Sequence, residues 1–341
     1  MKPLQGKRLT ALLLALAITL SLSACGTAPA ETAEEPAAIT LTDQAGRTVT
    51  LDAPAQSIVS CYYITTYATI ALGVSDRVAG LEKKAETRPI YHLAAPYLLE
   101  KEQVGTMKEC SVEAIAALSP DLVLMPKKLL DYADTLAELG IPVLVVAPED
   151  MESMEEMLTL IAAACGVEDR AEQLLDYYDT KLAEIEQCTS DENRPSVCMA
   201  GNSSYLEVAP DGMYQGSLIQ LAGGENAAKE LSGDYWVDVS YESLLAMAPE
   251  VFLIPVGADY TAEDVKNDPQ LAALPAVQNN AVYAMPTGFE EWDSPVPSGI
   301  LGALWMTSIL HPEVYSQKDF IGDAEDFYET FYGVSLTISL S

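Results

Sequence analysis

The residues of this chain that could do chemistry point to binding rather than turnover. Only two histidines occur, His92 and His311, and no HExxH, GxSxG or GxGxxG sequence is present. Gly223-Gly224 lacks the surroundings of a phosphate loop, and no CxxC pair has zinc-ligand spacing. No catalytic residue, resident metal or cofactor is therefore assigned. His311 precedes Pro312 at a helix end and reads as structural. What remains is a set of aromatic, polar and cationic side chains: Tyr62, Tyr63 and Tyr67 around Thr65; Arg88, Tyr91 and His92; Lys127 and Lys128; Asn202 and Tyr205; Tyr235, Trp236 and Tyr260; and Glu290 with Trp292. Aromatic rings give flat apolar contact to a bulky ligand, and lysine or arginine meets an anionic one.

Most of these positions fall just past a segment that reads as a strand. Residues 57–61 (SIVSC), 122–125, 143–146, 197–200 and 251–254 are short apolar runs of the kind found in parallel sheets covered by helices on both faces. Ligands collect at the carboxyl ends of such strands. Residues 39–51, ITLTDQAGRTVTL, alternate around Gly46 and predict a hairpin. Residues 111–126, SVEAIAALSPDLVLMP, and 240–255, SYESLLAMAPEVFLIP, agree without a gap at six of sixteen positions, and apolar sites match apolar sites nearly throughout. Each copy reads as a helix, a Pro break and an apolar strand, followed by a further helix and strand: 132–139 then IPVLVVA, and 264–274 then AVYAMP. Between the copies, residues 167–187 place apolar side chains every three or four residues and predict one long helix of roughly 30 Å.

These patterns divide the chain into a leader (1–24), a flexible tether (25–38), an α/β lobe (39–166), a connecting helix (167–188), a second α/β lobe (189–316) and a C-terminal helix and tail (317–341). The leader has Lys2, Lys7 and Arg8 before an apolar run, and residues 22–26, LSACG, resemble a bacterial lipobox with Cys25 as the acylated residue. The protein is then expected outside the cell membrane, hung from it by lipid. With 51 acidic against 18 basic residues, its formal charge of −33 disfavours nucleic acid and anionic lipid headgroups as partners. Five cysteines follow Cys25. Cys188 and Cys198 are close enough in sequence for a disulfide, and buried free thiols are an equal reading.

In the order TDQAGRTVTL, SIVSCYY, ALGVSDRVAGL, VEAIAALSPDLVL, ELGIPVLVV, QGSLIQLAGGENAA, VSYESLLAMAPEVFLI, LPAVQNNAVYAM and SGILGALWMTSILHPE, the chain resembles the substrate-binding lipoproteins of ABC importers for iron-siderophore complexes, haem and cobalamin. The resemblance implies two Rossmann-like lobes with parallel-type sheets joined by one long rigid α-helix, a ligand clamped between them and only small hinge motion. It also implies a monomer that docks on a permease dimer with its cytoplasmic ATPase through one acidic residue per lobe. Those residues fall on Glu113 and Glu242, at the same place in the two copies of the repeat. Each also sits where it complements the first turn of a helix capped by Ser111 or Ser240.

The expected function is capture of an iron chelate, a ferric siderophore or haem, and its delivery to the permease. A corrinoid or an oxyanion such as molybdate or tungstate is the alternative within the family; a secreted hydrolase or adhesin is the alternative from another class. Members that take free metal ions use several cleft histidines, which this chain lacks.

Overall fold

The structure, a computed structural model, describes residues 38–189, 194–233, 235–286 and 288–340. The leader, Cys25 and almost all of the tether lie outside these residues.

The alternating segment around Gly46 forms a hairpin of β1 (Ile39–Thr42) and β2 (Thr48–Leu51). Gly46 turns the chain at φ +79. The buried Asp43 carboxylate accepts hydrogen bonds from the backbone N–H of Ala45 (3.0 Å), Arg47 (2.8 Å) and Val145 (3.1 Å), which ties the hairpin to the first lobe.

That lobe runs β3 (Ile58–Ser60), α1 (Tyr63–Ala71), β4 (Val78–Glu82), α2 (Pro89–Ala94), β5 (Glu102–Thr106), β6 (Glu109–Cys110), α3 (Val112–Ala117), β7 (Leu122–Pro126), α4 (Leu130–Glu138), β8 (Val143–Val146) and α5 (Met151–Cys165). Its sheet has the order β6-β5-β4-β3-β7-β8, parallel except for the short edge strand β6. α6 (Glu168–Cys188) follows.

The second lobe contains β9 (Ser196–Met199), β10 (Glu207–Val208), α7 (Tyr214–Leu221), β11 (Glu225–Asn226), β12 (Val237–Asp238), α8 (Tyr241–Met247), β13 (Val251–Ile254), α9 (Ala262–Asn267), α10 (Pro275–Gln278), β14 (Val282–Ala284), α11 (Ile300–Leu310) and α12 (Gln317–Phe327). Its main sheet, β11-β9-β13-β14, is wholly parallel, and β10 and β12 make a separate antiparallel ribbon. The fold is therefore two Rossmann-like α/β lobes joined by one long helix.

The internal repeat is reproduced in three dimensions. α3 leads into β7 and α8 into β13, with Ser111 Oγ accepting from Ala114 N (3.2 Å) and Ser240 Oγ from Ser243 N (3.1 Å). Both helices end in a non-glycine residue of left-handed conformation directly before the proline, Ser119 and Ala248, each at φ +48. Proline disfavours the right-handed helical conformation in the residue before it, so both breaks are resolved in the same way. The predicted helix at 264–274 is corrected: α9 starts at a Thr261–Asp264 capping box and stops at Asn267, with Asp268 extended. Pro269 forces that stop, because it excludes helical backbone at Asp268 and lacks an N–H.

One apolar cluster links the lobes. It takes in Leu124 and Leu144 of the first sheet, Ala171, Leu174, Tyr178 and Ile185 of α6, and Val197 and Leu253 of the second sheet. α11 is buried all round, as a helix apolar on every side must be, and packs on α6, α7 and α12. Polar ties cross the same region. The Arg170 guanidinium of α6 donates to Ala71 O at the end of α1 (3.1 Å) and to Thr330 O (2.8 Å) and Phe331 O (3.1 Å) in the C-terminal segment. Because the core is shared, the lobes should unfold together. Leu174→Ala is expected to cost about 2–5 kcal/mol and to leave a single cooperative transition in urea, followed by circular dichroism and tryptophan fluorescence. Two separated transitions in the wild type would show that the lobes are independent.

Candidate ligand-binding cleft

The parallel strands of the first lobe all deliver their carboxyl ends to one side, and a cavity of about 410 Å³ opens there. Tyr62 follows β3, Met107 sits in the turn between β5 and β6, Lys127 and Lys128 follow β7, and residues 147–149 follow β8. Residues 212–215 at the start of α7, with Tyr235 and Pro295, form the opposite wall. The cleft thus lies between the lobes. Lys128 Nζ stands 5.9 Å from the centroid of the Tyr235 ring, which is 70% exposed, so the pair spans the mouth from one wall to the other.

Tyr62 is held from behind by an edge-to-face ladder. The ring pairs Tyr62–Tyr63, Tyr63–Tyr67 and Tyr67–Tyr91 have centroids 5.3, 5.6 and 5.4 Å apart. Arg88 lies over the Tyr63 ring at 4.1 Å and pairs with Glu291, while Tyr67 OH donates to the other oxygen of the same carboxylate at 3.0 Å. The charge of Arg88 is therefore offset by a residue from the segment after β14. Among the described residues, Lys127 and Lys128 form no ion pair and remain as cations of the cleft; the one acid on its wall is Glu149.

Several sequence candidates are placed elsewhere. Thr65 is buried, donating to Tyr62 O and bonding Ser60 Oγ, both at 2.7 Å, so it shapes the turn that carries Tyr62. Tyr91 is fully buried and donates to Glu82 at 2.7 Å, a carboxyl that also accepts from Thr66 (2.7 Å) and whose pKa burial raises. Glu290 is 2% exposed, accepting from Tyr328 (3.1 Å) and Tyr332 (2.8 Å). Trp292 is wholly buried, stacked on Phe289 with its indole N–H on Tyr328 OH at 2.8 Å. These four belong to the scaffold behind the cleft rather than to its surface.

Asn202 and Tyr260 tie together the loops after β9 and β13, Tyr205 ties the first of these to the end of α9, and none of the three lines the cavity. Asn202 Nδ2 donates to Val256 O (2.7 Å), Tyr260 OH to Gly201 O (2.8 Å), and Tyr205 OH to Asp268 (2.8 Å). Trp236, half-buried beside Tyr235, packs over Gly201. His92, exposed, bonds Glu86 O at 2.9 Å; His311, buried, bonds Gly223 O at 3.2 Å. Cys198 is a free buried thiol, and the side chain of Cys188 lies outside the described residues. Glu113 and Glu242 are both exposed, each in the first turn of its copy of the repeated helix.

Met107, Gln215, residues 147–149 and Pro295 were not singled out by sequence reasoning. The strand-end rule that found Lys127 applies equally to residues 147–149 after β8. No local pattern marks Met107 or Pro295.

Two buried carboxyls lie next to the cleft wall. Gln215 Nε2 donates to Asp293 O at 2.8 Å, which joins α7 to the segment holding Glu290 and Asp293. Burial, reinforced for each by the neighbouring Glu291 charge, raises the pKa of Glu290 and of Asp293 to about 7. A carboxyl whose folded pKa exceeds its unfolded value holds its proton more tightly in the folded state. Its contribution to stability is full below the unfolded value and is lost as pH rises toward and through 7. Stability in urea is expected to decline between pH 5 and pH 8, and Glu290→Gln should flatten part of that decline. An unchanged pH profile in the variant would rule Glu290 out as a source.

Comparison with known proteins gives consistent matches. The chain is 24% identical over 326 residues to the molybdate-binding protein MolA of Haemophilus influenzae, covering 86% of this chain and 91% of that protein. It is 28% identical over 273 residues to the ferric enterobactin-binding periplasmic protein FepB of Escherichia coli, covering 72% and 83%. Among solved structures, a periplasmic solute-binding protein from Veillonella parvula superposes with a TM-score of 0.77 at 25% identity over 87% of this chain and 94% of that one. Molybdate-bound MolA superposes with a TM-score of 0.73 at 21% identity over 87% and 98%. The model of the periplasmic binding protein family matches residues 58–287, the stretch that carries both sheets, α6 and the greater part of the cleft wall, and the chain belongs to that family.

Proposed function

We propose that this protein is the extracytoplasmic solute receptor of an ABC importer and that it takes an anionic metal chelate, with a ferric siderophore or haem as the preferred solute. The observation that carries the reading is the pair Lys127 and Lys128, unpaired cations facing an aromatic cleft on a chain of formal charge −33. Such a background makes two adjacent ammonium groups at a strand end a selective feature for an anion. Residues 212–215 add the N-terminal turn of α7 to the opposite wall, where the helix dipole favours negative charge. Tyr62, Tyr235 and Met107 supply the flat, polarizable contact that a chelate presents a surface for. The walls offer lysines and tyrosines rather than a cluster of histidines, cysteines and acids, which supports a metal that arrives in its own chelate. No step of catalysis is proposed.

A second reading within the family is an oxyanion such as molybdate or tungstate. The cavity of about 410 Å³ is at the low end of the ~300–1,000 Å³ usual for ligand sites, and a molybdate-binding relative aligns over nearly its whole length. A corrinoid is less favoured on the same volume.

In this account Cys25 carries the lipid that holds the receptor at the membrane, and the protein works as a monomer. Glu113 and Glu242 are the contacts to the permease dimer with its cytoplasmic ATPase. Their support is geometric: both are exposed and stand in the first turn of matching helices in the two lobes, as a pseudo-twofold partner requires.

Thermal denaturation with ferric siderophores, haem, cobalamin and molybdate separates these solutes, since a ligand at 100 times its Kd adds about 2.7 kcal/mol. Lys127→Ala with Lys128→Ala should weaken the successful ligand about tenfold or more, equivalent to ~1.4 kcal/mol; unaltered affinity would remove the lysines from the site. If no member of the panel stabilises the protein while a small ester or amide is hydrolysed, the receptor reading fails. Charge reversal, Glu113→Lys with Glu242→Lys, is expected to abolish uptake in cells while ligand affinity in vitro stays the same. Loss of affinity in that variant would place these acids at the cleft instead.

A further inference from the structure

A row of buried hydroxyls joins the carboxyl of Glu82, at the end of β4, to the backbone carbonyl of Tyr62. Tyr91 OH is 2.7 Å from Glu82 Oε1, and Thr66 Oγ1 is 2.7 Å from Glu82 Oε2. Thr66 Oγ1 lies 2.8 Å from Ser60 Oγ, Ser60 Oγ 2.7 Å from Thr65 Oγ1, and Thr65 Oγ1 2.7 Å from Tyr62 O. These five hydrogen bonds need five protons, and the hydroxyls of Tyr91, Thr66, Ser60 and Thr65 supply one each, four in all. An ionised Glu82 only accepts. Whichever way the hydroxyls then turn, one pair of oxygens faces across 2.7 to 2.8 Å with no proton between them. Two longer approaches, from Ser60 Oγ (3.1 Å) and Thr66 Oγ1 (3.4 Å) to Tyr62 O, draw on the same protons and only raise the demand. A neutral Glu82 supplies the missing one. Tyr91 then donates to Glu82, the acid to Thr66, Thr66 to Ser60, Ser60 to Thr65 and Thr65 to Tyr62 O, and every link is made.

We propose that Glu82 is a protonated carboxylic acid in the folded protein and a positioning residue for the cleft, its proton directing a one-way chain of hydrogen bonds onto the turn that carries Tyr62. That turn has need of support. Tyr62 lines the cavity and is the N-cap of α1, yet it has no side-chain cap of its own. Its carbonyl also takes the first helical bond, from Thr66 N at 3.0 Å, so the bond from Thr65 fixes the direction in which the helix begins. The surroundings of Glu82 favour the neutral form. Burial raises its pKa. Tyr91 of α2, whose pKa burial also raises, and the buried thiol of Cys61 are uncharged at neutral pH. From α1 and β5 it meets Thr66 and Gly105, which do not titrate. The charge of Arg88 acts the other way and is engaged by Glu291.

The test has two readouts on the free, folded protein at neutral pH. Infrared difference spectra compare the wild type with Glu82→Gln, whose amide both donates and accepts and so keeps the chain. The wild type should show the carbonyl stretch of a protonated carboxyl, shifting in heavy water, that the variant lacks. A fluorotyrosine installed at position 62 then reports the turn by fluorine NMR. Glu82→Gln should leave its resonance in place, whereas Glu82→Met, of similar length but without a donor, should displace it. Thr66→Val keeps Glu82, breaks the chain at the next link and should displace it likewise. A difference spectrum containing only ionised-carboxylate bands overturns the proposal. So does a resonance that the Met and Val variants leave in place, or that Gln displaces as far as they do. No solute is present in either readout, so failure here is distinct from failure of the receptor reading, on which the role of the cavity rests.

Discussion

Burial of one face of α6 between the lobes is the interaction on which the rest of the structure depends. Ala171, Leu174, Tyr178 and Ile185 belong to a single continuous core with strands of both sheets, which the helix joins by packing on α5, α7 and α11. Tyr178 adds a polar tie, its hydroxyl donating to Pro297 O in the segment leading to α11. The C-terminal residues close the same joint from the other side, with Arg170 holding the ends of α1 and of the C-terminal segment together. A joint made of close-packed side chains has few alternative arrangements. The separation of the strand ends, and with it the width of the cleft, is therefore set by the core and not by the ligand.

The electrostatics follow from that placement. On a chain this acidic, the proposed preference for an anion rests on a few cations that stay unpaired. The structure distributes them accordingly: Arg88 is taken up by Glu291 and braces the tyrosine ladder, while Lys127 and Lys128 remain at the surface of the cleft. Of the acids near the wall, Glu149 lines the cavity, Glu291 is paired with Arg88, and burial raises the pKa of Glu290 and of Asp293 to about 7.

Much of the fold was legible because it rests on local patterns. The repeat at 111–126 and 240–255 reappears as two matching helix–strand units, down to the left-handed residue before each proline. The predicted helix at 167–187 corresponds to α6, shifted by one residue. The site was legible in part. The rule that ligands meet strand ends led to Tyr62, Lys127 and Lys128, but a residue type near a strand end does not say which way its side chain turns. Trp292 turns inward because its indole N–H finds Tyr328, and Glu290 because Tyr328 and Tyr332 donate to it; these partners lie 36 to 42 residues away and leave no trace in local spacing. Met107 and Pro295 enter the cleft through the path of their loops, which only the packed structure defines.

The central claim is that the cleft is formed before the solute arrives, because the lobes share one core through α6. Small-angle X-ray scattering of the free protein and of the protein saturated with the ligand that stabilises it measures this directly. The account predicts radii of gyration that agree within the precision of the measurement. A clear contraction on binding would contradict it, and would mean that the lobes swing about α6 rather than being held by it.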